Sequence, residues 1–291
     1  MSAFKRATKE QAKLRMFLAG PSGSGKTWTA LSIASSIGKR IAVIDTEHHS
    51  ASKYADAFEF DAQNLDVPTI NAYEKAIRDA CSEGYDVLVI DSLTHAWMAA
   101  QQMLDDTAAR MKTPNSYMAW GTVTPVWNGL LRTIITSNLH VIGTCRSKTD
   151  YVLETDSKGR QVPKKVGMAP VMRDGAEYEF DIAAEMDLEH RLIIGKTRCQ
   201  ALDGQVYSKP SGQEIGEILK QWLNDGVPKP IDTPKQPSGP PMSQEQIDFN
   251  AWAKPLIEEN RITRDRIRGI LLEMHGDYAK ARALIETELA A

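Results

Sequence analysis

The segment Gly20-Pro-Ser-Gly-Ser-Gly25-Lys26-Thr27 constrains this chain more than any other. It matches the spacing G-x-x-x-x-G-K-[ST] and stands between an apolar run, Met16–Ala19, and a helical pattern, Thr27–Ile37. In such a strand–loop–helix the glycines let successive backbone N–H groups converge on phosphate oxygens. The helix N-terminus adds partial positive charge at the same point. Gly20, Pro21, Ser22, Gly23, Ser24, Gly25, Lys26, Thr27 and the adjoining Trp28 are therefore the expected nucleotide-binding set. Lys26 is expected to reach the β- and γ-phosphates of ATP, and the Thr27 hydroxyl to ligate Mg2+.

Around this loop, short apolar runs alternate with helical patterns. Arg40–Ile44, Tyr85–Ile90 and Leu139–Thr144 read as further strands, and Asn71–Ser82 and Trp127–Ser137 as helices. Phe180–Met186 and Arg191–Ile194 read as a hairpin. Fully apolar strands alternating with helices predict an α/β fold with a mainly parallel central sheet covered on both faces.

Such a sheet binds ligands at the carboxyl ends of its strands. Two runs end there in acids. Asp91 closes Tyr85–Ile90 and is the expected second magnesium partner; as a plainer alternative it caps the helix that follows. Ile44-Asp45-Thr46-Glu47 ends the second run, where Glu47 can polarise a water in line with the γ-phosphate. Asp45 is expected to support the loop or the metal shell.

Ile44-Asp45-Thr46-Glu47-His48, with Tyr54-Ala55 seven residues after the glutamate, resembles the RecA recombinase core. Val89-Ile-Asp-Ser92 matches that core as well. More closely, residues 4–210 resemble phage-encoded RecA-like ATPases, AAA-type ATP-binding proteins that include recombinases acting with single-strand DNA-binding proteins. The resemblance implies Glu47 as the water-activating base and Tyr54 as an adenine-stacking residue; otherwise Tyr54 is a core aromatic. Gly195-Lys196-Thr197-Arg198 resembles the cationic finger that reaches the γ-phosphate of a neighbouring subunit. In a strand, residues i and i+2 share a face, so Lys196 and Arg198 can converge on one phosphate. The implied assembly is a homo-oligomer with ATP at subunit interfaces. The family's glutamine at the end of the strand before the second DNA loop is missing; Cys145-Arg146-Ser147-Lys148 stands there, and Arg146 and Lys148 are candidates for its sensing role.

The resemblance also implies single-stranded DNA as partner. The whole chain carries 35 basic and 38 acidic residues, so only a local patch can bind DNA. Residues 146–173 form such a patch, loop-like by their glycines and prolines, with Lys148, Arg160, Lys164 and Lys165 as candidate contacts. A hairpin pairing Tyr151–Leu153 with Gln161–Pro163 around Ser157–Gly159 is expected inside it. Asp105–Gly121, where the first DNA loop of that core lies, adds Arg110 and Lys112 beside Tyr117 and Trp120.

Six prolines within residues 228–241 mark a semi-rigid linker. The expected organisation is an ATPase core at 1–226, a linker at 227–242 and a small helical domain at 243–291. Ser243-Gln-Glu-Gln246 has the pattern of a capping box, and the last helix is expected at Ala279–Leu289. This tail is a candidate docking site for a single-strand DNA-binding protein, DNA or another subunit. Three widely spaced cysteines fit a reducing cytosol, and no apolar run is long enough to cross a membrane. The expected location is the cytoplasm, that of a host bacterium for a phage-encoded chain. Two other classes compete: a replication loader or adaptor that recruits a partner, and a small-molecule kinase, which would need an arginine-rich lid.

Overall fold

Three of the sheet's strands are buried at every residue, because helices cover them from both sides: β1 (Arg15–Gly20), β2 (Ile41–Asp45) and β4 (Val87–Asp91). With β3 (Asp61–Asn64), β5 (His140–Thr155) and β7 (Ile182–Met186), they run parallel in the order β3-β2-β4-β5-β1-β7. Two antiparallel strands, β8 (Arg191–Thr197) and β9 (Val206–Ser208), extend the β7 edge. The computed structural model describes residues 6, 8–9, 11–111, 113, 115–155, 161–227, 243–258, 262–274 and 277–290, with the side chains of 150–155, 161–166, 264–265 and 290 left aside.

Strand alternation sorts the core into two layers. Phe17, Ala19, Ile44, Leu88 and Ile90 face α2 (Ile70–Ser82), α3 (Leu93–Ala109) and α4 (Ser116–Thr136). Met16, Leu18, Val43, Val89 and Ile142 face α1 (Lys26–Ile37) and α5 (Gly212–Asn224). The α1–α5 contact is close because Gly212 and Gly216 have no side chain; a Cβ at either would run into Ser32 or Ser36. Buried Arg15 donates to the carbonyls of Ile135, Ser137 and Leu139 just where α4 ends, which satisfies acceptors the helix leaves open.

Two expected loops are regular structure instead. Asp105–Gly121 consists mostly of the end of α3 and the start of α4, which begins eleven residues before the expected helix at Trp127. Asn115 caps α4 by accepting from the Met118 N–H at 3.2 Å. Gly121 and Pro125 signal a break, but the buried stripe Ala119, Val123, Trp127, Leu130 and Ile134 carries the helix through both. Residues 147–155 and 161–170 form an antiparallel arm, not a loop: β5 continues past the sheet and pairs with β6 (Gln161–Pro170). The expected hairpin forms with its register shifted by two residues: Leu153 lies opposite Pro163, Tyr151 opposite Lys165, and Gln161 pairs with Thr155. Its turn at Ser157–Gly159 lies outside the described residues. Pro163 and Pro170 fit because β6 pairs only with β5, leaving an edge that needs no N–H.

The chain divides into two compact units, Met1–Lys229 and Pro230–Ala291. The second holds α6 (Gln244–Glu258), α7 (Arg264–Glu273) and α8 (Tyr278–Ala290) around Phe249, Ala253, Ile267, Ile270, Ala281 and Ile285. Ser243 accepts from the Gln246 N–H at 3.2 Å, as its capping-box pattern predicts. The proline-rich stretch 228–242 lies outside the described residues. Among the described residues no helix is long and apolar enough to cross a membrane.

Candidate functional site

The carboxyl ends of β1, β2, β4 and β5 meet at one edge of the sheet, and the candidate site is built there. β1 ends at Gly20, and Pro21–Gly25 turns the chain into α1. Gly23 and Gly25 hold φ of 80° and 90°, the left-handed region that turns backbone N–H groups inward. Lys26 Nζ donates to the Pro21 carbonyl at 2.8 Å, so the lysine lies back over its own loop. Burial lowers the Lys26 pKa, although Asp91 and Glu47 pull the other way.

From the first turn of α1, Thr27 Oγ1 donates to Asp91 Oδ2 at 2.6 Å. Thr144, on β5, donates to the other oxygen at 2.5 Å. Asp91 is thus shared by two hydroxyls and does not cap the next helix, whose N-cap is Ser92. Burial raises its pKa, against the lowering effect of those two hydrogen bonds. Asp45 accepts from the Glu47 and Ala51 N–H groups at 2.7 and 2.8 Å, so it shapes the loop after β2.

That loop brings Glu47 toward β4 and β5. Ser92 Oγ donates to Glu47 Oε1 at 3.1 Å. Arg146 Nε donates to the same oxygen at 2.9 Å, and Arg146 Nη2 contacts Oε2. Burial pushes the Glu47 pKa up, but the Arg146 hydrogen bond and charge, with His95 and Ser92, outweigh it and hold the carboxyl below its ordinary value.

Ser22, Gly23, Gly25, Lys26, Thr27, Trp28, Glu47, Tyr54 and Asp91 line one cavity of about 750 Å³. That volume suits a nucleotide-sized ligand. Gly20, Pro21 and Ser24 belong to the loop but do not line the cavity. Tyr54 packs edge-on against Trp28, ring centroids 5.8 Å apart, and Trp28 stays 46% exposed at the cavity wall. The oxygen donors of Thr27 and Asp91 suit a hard divalent cation such as Mg2+. Among the described residues, the buried Ser24 Oγ has no hydrogen-bond partner.

Sequence reasoning missed the far wall: Met186, His190, Lys209 and Pro210 also line the cavity. His190 Nδ1 lies 3.0 Å from the Ser24 carbonyl, and the Lys209 N–H donates to the His190 carbonyl at 2.9 Å. Both adopt positive φ without being glycine, 60° and 47°. Such backbone conformations are set by tertiary packing and leave no mark in composition.

Lys196 and Arg198 do not line the cavity. Lys196 Nζ donates to the Tyr178 carbonyl at 2.7 Å and also contacts that of Phe180; Arg198 pairs with Asp181 at 3.0 Å. Of the candidate DNA contacts, Arg110 is the C-cap of α3 and Lys148 is exposed near the base of the β5–β6 arm. Lys112 and Arg160, and the side chains of Lys164 and Lys165, lie outside the described residues. Trp120 is not free to stack on a base: it stacks on Trp97 at 5.9 Å, under the Arg173 guanidinium.

A family model described as an AAA domain matches residues 12–209. A search of curated proteins finds no match.

Proposed function

The chain belongs to the AAA domain family, an AAA-like P-loop ATPase group, and from that premise we propose that it is a RecA-like, phage-type ATPase that assembles on single-stranded DNA for recombination or strand annealing. The observation that carries the reading is the convergence of Lys26, Thr27, Asp91 and Glu47 on one nucleotide-sized cavity. Three segments far apart in sequence supply a phosphate loop, a cation partner pair and a base.

The division of labour follows from position. The loop N–H groups and Lys26 hold the phosphates. Mg2+ held by Thr27 and Asp91 would draw off charge developing on the β- and γ-phosphates. Glu47 orients the attacking water and takes its proton. Trp28 and Tyr54 offer an aromatic wall to the base.

Lys196 and Arg198 support an oligomer because they stand apart from their own chain's cavity. A neighbouring subunit's phosphate could replace the backbone carbonyls and Asp181 that they hold in the single chain. The β5–β6 arm, with exposed Lys148 near its base, is the proposed DNA-binding element. The second unit is the proposed docking module for a partner such as a single-strand DNA-binding protein.

ATPase rate and sedimentation, each with and without single-stranded DNA, test the reading. DNA-dependent assembly is expected, with turnover lost in Lys26→Ala, Glu47→Gln and Arg198→Ala. Mixing Arg198→Ala with Glu47→Gln is expected to restore part of the rate, since the finger acts in trans. A monomer with DNA-independent turnover and full Arg198→Ala activity would instead favour a kinase.

A further inference from the structure

The turn between β7 and β8 meets the phosphate loop at both of its ends. At Gly20, where β1 stops, a Cβ would stand 2.6 Å from the Met186 carbonyl. At Gly25, just before α1, a Cβ would stand 3.3 Å from His190 Nδ1. The two glycines that bound the loop therefore also admit this turn. His190 Nδ1 reaches the Ser24 carbonyl at 3.0 Å. A carbonyl oxygen only accepts, so Nδ1 carries the proton and donates.

The turn is itself firmly held. The Asp187 carboxylate accepts from the Glu189 and Arg191 N–H groups at 3.0 and 2.9 Å. The Asp187 carbonyl accepts from the His190 N–H at 3.1 Å, and the Lys209 N–H donates to the His190 carbonyl at 2.9 Å. Both backbone groups of His190 are thus engaged, and they hold it at φ 60°, a conformation uncommon outside glycine. Side chains held this way are over-determined by their surroundings, and they concentrate at ligand sites.

Peptide geometry says what the contact does. The Ser24 carbonyl and the Gly25 N–H belong to one planar unit and point to opposite sides of it. A donor that holds the carbonyl on the His190 side aims the N–H the other way. With Gly25 in the left-handed region, that N–H is one of those turned into the phosphate cradle. A peptide next to glycine turns over easily, so the loop's own residues leave this orientation soft. His190 supplies from outside the loop the restraint that the loop lacks.

We propose that His190 is a positioning residue of the phosphate loop: its imidazole holds the Ser24 carbonyl so that the Gly25 N–H faces the phosphates of a bound nucleotide. The proposal rests on the nucleotide reading of this cavity and adds to it a residue of the β7–β8 turn.

The test compares His190→Asn, His190→Asp and His190→Gly in the full chain, because these residue types tolerate left-handed backbone. Asparagine carries an N–H group two bonds from Cβ, where Nδ1 stands in histidine, and can donate to the same carbonyl. Aspartate has the same shape but only accepts. Glycine removes the side chain and suits the backbone, without adding charge. Titration calorimetry with ADP and Mg2+ measures binding, and thermal melts without nucleotide measure the fold. His190→Asn is expected to bind within about twofold of the wild type, since the donor is kept. His190→Asp and His190→Gly are expected to lose about three- to tenfold, the contribution of one hydrogen bond, while melting close to His190→Asn. Equal affinity in all four proteins, an equal loss in all three variants, or a loss that follows the melting temperature makes His190 a residue of the turn alone. Each of these overturns the proposal and leaves the nucleotide site standing. A wild type that does not bind ADP, or binding that survives Lys26→Ala, overturns the nucleotide reading with it.

Discussion

Thr27 Oγ1 and Asp91 Oδ2 lie 2.6 Å apart, joined by a hydrogen bond between the first turn of α1 and the end of β4. The contact closes the phosphate loop against the sheet and holds a buried carboxylate between the Thr27 and Thr144 hydroxyls. Burial raises its folded pKa above the unfolded value, so its ionisation disfavours the fold. The penalty grows as pH rises through the unfolded value and is complete above the folded one. Asp91→Asn is therefore expected to stabilise the empty protein at neutral pH by about 1 kcal/mol or more while abolishing magnesium-dependent nucleotide binding. Thermal melts from pH 3 to 8, with and without Mg2+ and ATP, check both halves. A lower melting temperature at neutral pH would contradict the argument.

Glu47→Gln keeps the shape of the side chain and removes its basicity. Turnover is expected to fall by about 10²–10⁴-fold with nucleotide binding retained. Single-turnover hydrolysis separates this outcome from a binding defect. Turnover near the wild-type rate would remove Glu47 from the role of base.

His140 is expected to contribute acid sensitivity to the fold. Its Nδ1 accepts from the Leu14 N–H at 3.1 Å, so the neutral ring is required there. Burial, helped by Lys13 and Arg15, pushes its pKa down from 6.5 to about 4. A depressed folded pKa gives stability that is present above the unfolded value and lost as pH falls toward 4. The loss is up to about 3 kcal/mol. His140→Asn, whose side-chain oxygen can take the same N–H, is expected to flatten the melting-temperature slope between pH 7 and 4.5. An unchanged slope assigns the sensitivity elsewhere.

The arm's part in DNA binding is read from salt. If Lys148 contacts a phosphate, Lys148→Ala should weaken single-stranded DNA binding without changing sequence preference. The slope of log affinity against log salt should also shrink by about 0.7. Fluorescence anisotropy on a labelled oligonucleotide across a salt series measures it. A slope equal to the wild type's removes Lys148 from the interface.

Gly216 and Gly269 separate packing from helix propensity. A Cβ at Gly216 in α5 meets Ser36, whereas nothing lies within 4 Å of one at Gly269 in α7. Gly216→Ala is expected to destabilise the first unit by about 1–3 kcal/mol. Gly269→Ala is expected to stabilise the second by about 0.5–1 kcal/mol. Denaturant titrations of the full chain report both, and a stabilising Gly216→Ala would refute the close α1–α5 approach.

Much of this protein was legible in its residues because the relevant physics is local. A phosphate loop is made from consecutive backbone N–H groups, so Gly20–Thr27 announces itself. Strands buried on both faces must be apolar, so Ile41–Asp45 and Val87–Asp91 stand out, and the acids at their carboxyl ends mark the binding edge. The helix starting after Ser243 is visible from a capping pattern four residues long. Where local signals conflict with burial, the reading fails: Gly121 and Pro125 look like breakers, yet α4 runs through them because its apolar stripe packs on the sheet.

By itself, then, the sequence determined an α/β phosphate-binding core, its loop, its acids and a helical tail, since each is encoded in neighbouring residues. Only the tertiary structure decided that Arg146 grips Glu47 across ninety-nine positions, that His190 and Lys209 wall the cavity, and that residues 147–155 and 161–170 pair as an arm. Those relations depend on which strands become neighbours. Strand order follows from the packing of the whole chain and is written in no single segment of it.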